Sequence, residues 1–320
     1  MRAAVLKGPR QWVLEEVPVP EPKADEVLIR MEGCGVCGSN LPIWEGRDWF
    51  QYPVKAGNPG HEGWGYVAAV GEDVTEWQVG DRVTALTYHA FAPYDLAHRS
   101  QVIALPESLD GRPMPGEPLG CAINVFRRAR IFATDTVVVI GSGFLGTLLV
   151  SLCARAGARV AAVSRRESAL EFAKEYGAEF TVRDTGDGQD VTKQLHEWAG
   201  SQGVSVVIEA TGAAGPIDLA TNLLKERGRM VIAGFHQDGL RQVNLQQWNW
   251  LGLDVINAHE RDPLIYLDGM KRAVELQALE GLDPRRLYTH TFALEDIQQA
   301  FETMHERPEG FMKALVLMNS

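Results

Sequence analysis

Four cysteines in 320 residues are too few for a disulfide framework, which excludes a small stapled secreted scaffold and points to a reducing compartment. Basic runs are missing as well. Thirty-one Lys and Arg stand against 42 Asp and Glu, a formal net charge of −11. No stretch is therefore equipped to track a phosphate backbone, and nucleic acid is not an expected partner. Long apolar runs are also absent. The longest, residues 137–140 and 148–153, fall far short of the roughly 20 residues of a membrane helix, so no membrane partner is expected. The opening MRAAVLKGPRQWVLEEVPVPEP reads as a strand and a proline-rich turn rather than an export signal. These absences together predict a cytoplasmic protein.

What is present is ordinary globular composition, 45% hydrophobic and 23% charged, with length enough for about two domains. Residues 1–116 predict short strands at 3–6, 26–32, 65–70, 82–86 and 101–104, separated by Pro/Gly turns such as Val79-Gly80-Asp81. An insertion at 41–52 carries Trp44, Trp49, Phe50 and Tyr52, which suit either a pocket lining or plain core. The character then changes. Residues 137–140 form a continuous β-branched strand, and helical patterns at 144–156, 167–176 and 216–224 alternate with strands at 159–163, 204–208 and 229–233. That alternation predicts an α/β unit with a doubly wound parallel sheet. The chain closes with helices at 263–279 and 294–304 and strands at 288–292 and 313–317.

Three constellations carry chemistry. Gly141-Ser142-Gly143-Phe144-Leu145-Gly146 follows the apolar strand and opens a helix. In that context the first glycine makes the turn, the second lets a pyrophosphate approach, and the third packs helix on strand; Phe144 and Leu145 start the helix whose N-terminus faces the anion. Where an NAD enzyme places a carboxylate for the ribose, the next strand runs into Ser164-Arg165-Arg166, with Glu167 one residue beyond. A serine and two guanidiniums suit a 2′-phosphate and favour NADP(H) over NAD(H); the alternative is a solvated basic turn. In Gly60-His61-Glu62-Gly63-Trp64-Gly65 the glycines permit a turn that lets His61 and Glu62 face one target. Imidazole and carboxylate are both zinc ligands, although a satisfied turn histidine is the plainer alternative. Upstream, GCGVCGSN holds Cys34 and Cys37. Cys121 and Cys153 are not spaced to complete a zinc ribbon, and no βαβ unit frames a redox pair. The remaining option is a single thiolate in an open metal site.

The order and spacing of GCGVCGSN, GHEGWGYVAAVG, VGDRV, EPLGCAINV and VVVIGSGFLG resemble the zinc-dependent medium-chain dehydrogenase/reductases, nearest the sorbitol and threonine branch. The resemblance implies a GroES-like β-rich catalytic domain (1–116 and 261–320) around a Rossmann domain (117–260). It implies Cys37 and His61 as zinc ligands with Ser39 as the hydroxyl that passes the substrate proton. For the last ligand it points to Glu117 of the Glu117-Pro118-Leu119 triplet rather than Cys121, four residues on. Glu62 is a ligand in some branches and an outer group in others. The chain lacks the four-cysteine lobe that holds a structural zinc, so one catalytic zinc per chain is expected. Asn40 replaces the usual aspartate after the relay serine, which is expected to loosen the orientation of His61, and Pro42 stands where related enzymes often have a relay histidine. The implied function is hydride transfer between a nicotinamide cofactor and a secondary alcohol or ketone of a polyol, sugar or cyclitol, by a homodimer or homotetramer. Trp44, Arg47, Asp48 and Trp49 are candidate substrate contacts. The contrasting class is a non-catalytic nucleotide-binding protein that kept the fold.

Overall fold

In the computed structural model, residues 1–237, 239–279 and 281–318 are described. The first segment carries β1 (Arg2–Gly8), β2 (Gln11–Glu16), β3 (Glu26–Gly35), α1 (Leu41–Glu45), β4 (Gly63–Val70), β5 (Arg82–Ala85), β6 (Tyr94–His98), β7 (Val102–Ala104) and α2 (Gly116–Ala129). Next come β8 (Thr136–Ile140), α3 (Phe144–Arg155), β9 (Arg159–Ser164), α4 (Glu167–Glu175), β10 (Phe180–Arg183) and α5 (Gly188–Ala199). The alternation continues through β11 (Val204–Glu209), α6 (Gly215–Leu223), β12 (Leu224–Ile232), α7 (Leu245–Leu251) and β13 (Asp254–Asn257). The chain closes with α8 (Pro263–Ala278), β14 (Tyr288–Ala293), α9 (Ile297–Glu306) and β15 (Lys313–Leu317). No helix among the described residues is long and apolar enough to cross a membrane.

Two compact units result, one from Met1–Gly120 with the chain from Leu267, the other Cys121–Tyr266. The spine of the first is β3, which pairs antiparallel with β4, β6 and β15. The sheet runs β14-β15-β3-β4-β5-β7, with β6 also on β3. Alternate residues Val27, Ile29 and Met31 of β3 enter a core with Trp44, Phe91, Phe301 and Phe311, as the two-residue side-chain period requires. This unit runs to Gly120, four residues beyond 116, and so includes Glu117. The reason is local: the N–H of Gly116 is held by Thr84 Oγ1 at 3.0 Å. Strand β6 buries Asp95 and Ala97 in alternation, but its apolar pattern is broken because one of the inward positions is an aspartate. That buried carboxylate accepts from the backbone N–H groups of Tyr88, His89 and Leu96, and so escapes a pattern reading.

The second unit is a six-stranded sheet in the order β10-β9-β8-β11-β12-β13, every pair parallel. Its central strand β8 is apolar from Val137 to Ile140 because both faces are covered there: Val137 and Val139 enter one cluster, Val138 and Ile140 the other. Ile140 pairs with Val163 and Glu209, so the turns after β8, β9 and β11 share one edge of the sheet. The strand order reverses at β8, the place where such sheets bind ligands.

Candidate active site

Pairing of Cys34 with Gly63 sets the end of β3 beside the start of β4. The segments that leave the two strands, Val36–Asn40 and Gly60–Glu62, are thereby neighbours. Cys37 caps a 3₁₀ turn over Gly38–Asn40. Its sulfur, a His61 ring nitrogen and a Glu62 oxygen lie within 4.8 Å of one another. The two cysteines of the CxxC go opposite ways. Cys34 is fully buried, its thiol bonded to the Gly35 carbonyl at 3.4 Å, and burial pushes that thiol well above its ordinary range. The pair therefore supplies one usable thiolate, Cys37, in place of a ribbon or a redox couple.

His61 is oriented from behind. Its Nδ1 lies 2.9 Å from the Pro59 carbonyl, the geometry of an Nδ1–H donating to it, which leaves Nε2 for the cluster. Asn40 fastens this arrangement: its amide donates to the same Pro59 carbonyl at 3.1 Å, and its oxygen accepts from the Cys37 N–H at 3.1 Å. The residue expected to loosen His61 ties the cysteine turn to the histidine's anchor. Burial lowers the His61 imidazole, but a hydrogen bond and charge from Cys37, then charge from Glu117 and Glu62, outweigh it and raise it to about 10. Clustered negative charge is thus the dominant feature of the site. Ser39 donates from Oγ to the Cys37 sulfur at 3.2 Å, which puts the relay candidate beside the candidate metal.

Glu62 is 0% exposed. Antiparallel pairing of β15 with β3 (Leu315 with Gly35) brings in Lys313, whose Nζ lies 2.6 Å from both Glu62 oxygens and donates to Oε1. Oε2 is buried and meets the ammonium as an ion pair rather than through a hydrogen bond. A Cβ on Gly35 would stand 1.8 Å from Oε2, so only glycine at 35 leaves room for the carboxylate. Glu117, in the first turn of α2 and 8% exposed, lies outside the 4.8 Å group but close enough to raise His61. Cys121 is engaged elsewhere, 3.0 Å from the Tyr266 hydroxyl. A cysteine sulfur, an imidazole nitrogen and carboxylate oxygens make a donor set that fits a zinc ion. Trp44 is 1% exposed and packs on Phe301 and His305; it is core, not a substrate contact. Trp49 is 59% exposed, and Arg47 pairs with Glu45 at 3.2 Å.

In the second unit the three glycines after β8 divide their work as the motif requires. Gly141 has φ +99°, and a Cβ there would meet Thr211 at 2.6 Å. Gly146 packs so tightly that its Cβ would sit 1.9 Å from the Gly141 carbonyl. Around Gly143 nothing lies within 4 Å of a Cβ position, which leaves the backbone open to a ligand. Phe144 and Leu145 begin α3, with Gly143 as its N-cap. Ser164 ends β9, and its hydroxyl accepts from the Arg166 N–H at 3.2 Å; Arg165 is exposed. Two residues escaped the sequence reading here. Arg183 pairs in register with Ser164 and donates to the Arg165 carbonyl at 3.3 Å. Glu209, wholly buried at the end of β11, gathers the N–H groups of Thr211 and Gly212 and the His236 ring. Its placement at a strand's carboxyl end was the available signal.

Comparison with known proteins agrees with this geometry. A family model described as "Alcohol dehydrogenase GroES-like domain" matches residues 23–122, and one described as "Zinc-binding dehydrogenase" matches 145–261. An alcohol dehydrogenase of Moraxella sp. is 33% identical over 73% of this chain and 77% of its own length. The erythritol/L-threitol dehydrogenase of Mycolicibacterium smegmatis is 29% identical over 99% and 97%. Among solved structures, a zinc-binding dehydrogenase of Sinorhizobium meliloti bound to NADP superposes with a TM-score of 0.86 at 27% identity, covering 99% and 98% of the two chains. With a GroES-like unit that carries a thiolate–imidazole–carboxylate cluster and a parallel-sheet unit that carries the glycine turn, this chain belongs to the zinc-dependent medium-chain alcohol and polyol dehydrogenases.

Proposed function

We propose that the protein oxidises a secondary hydroxyl of a polyol, sugar or cyclitol, or reduces the matching ketone, with NADP(H) as the preferred cofactor. The observation that carries this reading is Ser39 at 3.2 Å from the Cys37 sulfur, inside a group formed with His61 and Glu62. Cys37, His61 and Glu117 would hold the zinc, with Glu62 beside them. When bound, the ion polarises the substrate oxygen and lowers the pKa of its hydroxyl, while the nicotinamide supplies the hydride chemistry. Ser39 accepts the hydroxyl proton, and Asn40 keeps Cys37 and the Pro59–His61 anchor in register so that the acceptor and the ligands stay fixed. With Pro42 in place of a relay histidine, the proton leaves Ser39 through water or a carboxylate.

Gly141, Gly143, Phe144 and Leu145 would cradle the pyrophosphate. The absence of a carboxylate at Ser164 and the presence of Arg165, Arg166 and Arg183 around it support NADP(H). One zinc per chain is the matching stoichiometry, since Cys34 and Cys153 are buried thiols and Cys121 is engaged by Tyr266. A homodimer or homotetramer fits the outer strand β13 and the exposed side chains near it, Trp250 and Val255 among them.

A screen of polyols, sugars and amino alcohols with both nicotinamides, read as absorbance of the reduced cofactor, tests the reading alongside zinc content. Turnover of a polyol with about one zinc per chain is the expected result. Stoichiometric dinucleotide binding without zinc or turnover would leave a non-catalytic nucleotide-binding protein instead.

A further inference from the structure

Lys313 is the only charged residue of β15, whose sequence is KALVL, and it is 5% exposed. Its backbone is pinned by Thr289, whose hydroxyl lies 3.4 Å from the Lys313 N–H and 3.5 Å from its carbonyl oxygen. Its ammonium lies 2.6 Å from both oxygens of Glu62. A buried ion pair of this kind is seldom kept for stability, because a well-packed apolar pair of similar volume is often as stable or more so. The surroundings give this pair its meaning. Glu62 shares its 4.8 Å group with Cys37 and His61, so Lys313 stands at the edge of a set of anions fit to bind a metal.

We propose that Lys313 is a resident counter-cation of the metal cluster: it holds Glu62 in place before the metal arrives and competes with the metal for the same negative charge. This rests on the reading of the cluster as a zinc site. Charge accounting supports it. With a divalent ion held by Cys37 as a thiolate and by Glu117, the Glu62 carboxylate would add a third negative charge that the ion does not cancel, and Lys313 at 2.6 Å would cancel it. Without metal, Lys313 stays paired with both Glu62 oxygens and spares that carboxylate a buried unpaired charge. Gly35 completes the device, because any side chain there would expel Glu62 from its place under Lys313.

The test uses the full chain stripped of metal by chelation, compared as wild type, Lys313→Met, Lys313→Arg, Glu62→Gln and the Lys313→Met/Glu62→Gln double variant. Thermal melting of the zinc-free forms gives one readout, and zinc affinity by competition with a chromophoric chelator gives the second. Lys313→Met should lower the zinc-free melting temperature by about 5–10 °C. Most of that loss should return in the double variant, where no charge is left unpaired. Zinc affinity of Lys313→Met should rise about tenfold or more, and Lys313→Arg should stay near wild type in both readouts. If Lys313→Met is too unstable to fold without zinc, folding of the double variant still supports the proposal and its failure overturns it. A double variant as unstable as Lys313→Met, or zinc affinity unchanged or weakened in Lys313→Met, also overturns it. A wild type that binds no zinc refutes the functional reading instead, and the zinc-free comparison then decides the counter-charge role alone.

Discussion

The metal cluster and the dinucleotide turn both depend on glycine, for opposite reasons. At Gly35 a Cβ would collide with Glu62 Oε2 at 1.8 Å; at Gly143 it would meet nothing within 4 Å. The first glycine makes room for a group the chain itself supplies. The second leaves room for one it does not. The cluster is accordingly assembled from distant parts of the chain, Cys37 with His61 and Glu62, and Lys313 on Glu62, whereas the turn is written in six consecutive residues. A site assembled at long range should fail as a unit when one member is lost, and a local turn should fail alone.

Removing the thiolate is the strongest way to break the comparison. Cys37→Ala should abolish zinc binding and reduce turnover by about 10³-fold or more, while dinucleotide binding by the second unit persists. Zinc retention in that variant would sink the ligand assignment. Cys121→Ser, whose sulfur sits with Tyr266, should keep both metal and turnover. Ser39→Ala comes next in size, with turnover reduced roughly 10²–10⁴-fold and zinc content unchanged. A near-wild rate would mean that water or a carboxylate takes the proton without it.

The two glycines can be exchanged for alanine directly. Gly35→Ala forces the Glu62 carboxylate or the β3 backbone to move and should cost about 1–3 kcal/mol of stability along with zinc affinity. Gly143→Ala should fold and melt like the wild type, since open space receives the methyl, and should weaken only the dinucleotide. Equal melting temperatures for the two variants would contradict the contrast. Metal removal sharpens it further through pH. In the zinc-free protein His61 is raised to about 10 from an unfolded value of about 6.5. A raised group contributes stability that is fully present below about pH 6.5 and lost as pH rises through about 10. Zinc-free protein should therefore lose melting temperature between pH 7 and 10 more steeply than a zinc-free His61→Asn variant. Parallel curves for the two would show that His61 is not held protonated by the cluster.

The same contrast explains what could be read from the chain beforehand. The GxGxxG turn was legible because its geometry is local: strand, glycines and helix follow one another, and each glycine's role is set by its immediate neighbours. Cys37, His61 and Glu117 were named through the resemblance of their motifs to the family, and the fold brings Cys37, His61 and Glu62 within 4.8 Å of one another. Lys313 was not legible, because its importance comes only from the pairing of β15 with β3, some 250 residues from Glu62 in sequence. Arg183 escaped for the same reason, being placed beside Ser164 by the parallel register of β9 and β10. Strand β6 was hidden by a buried aspartate at one of its inward positions, Asp95. Trp44 looked equally suited to pocket or core, and only the packing of α9 against α1 decides for core.

Cofactor choice is the smallest effect and the last point of comparison, since it concerns charge at the surface rather than a closed cluster. An enzyme selective for NAD gains from a carboxylate at the end of β9 in two ways: it accepts from the ribose hydroxyls and repels a 2′-phosphate. Ser164 does neither. Arg165 and Arg166 follow it in sequence, and Arg183, which pairs with it in register, gives one N–H to the Arg165 carbonyl and so ties β10 to the segment that carries Arg165. A charge-assisted hydrogen bond is worth about 1.5–3 kcal/mol, and exposure puts these near the low end, so the expected preference is about tenfold in kcat/KM for NADP(H). Arg165→Ala should remove most of it. Arg183→Ala should remove part through charge and part through the freed loop, raising KM for NADP(H) with little change in kcat. Ser164→Asp should turn the preference toward NAD(H). Glu167 is the competing residue, exposed in the first turn of α4 and able to reach back to a ribose. A wild type that prefers NAD(H), with no response to Arg165→Ala, would hand the role to Glu167 and leave the three arginines as surface charge.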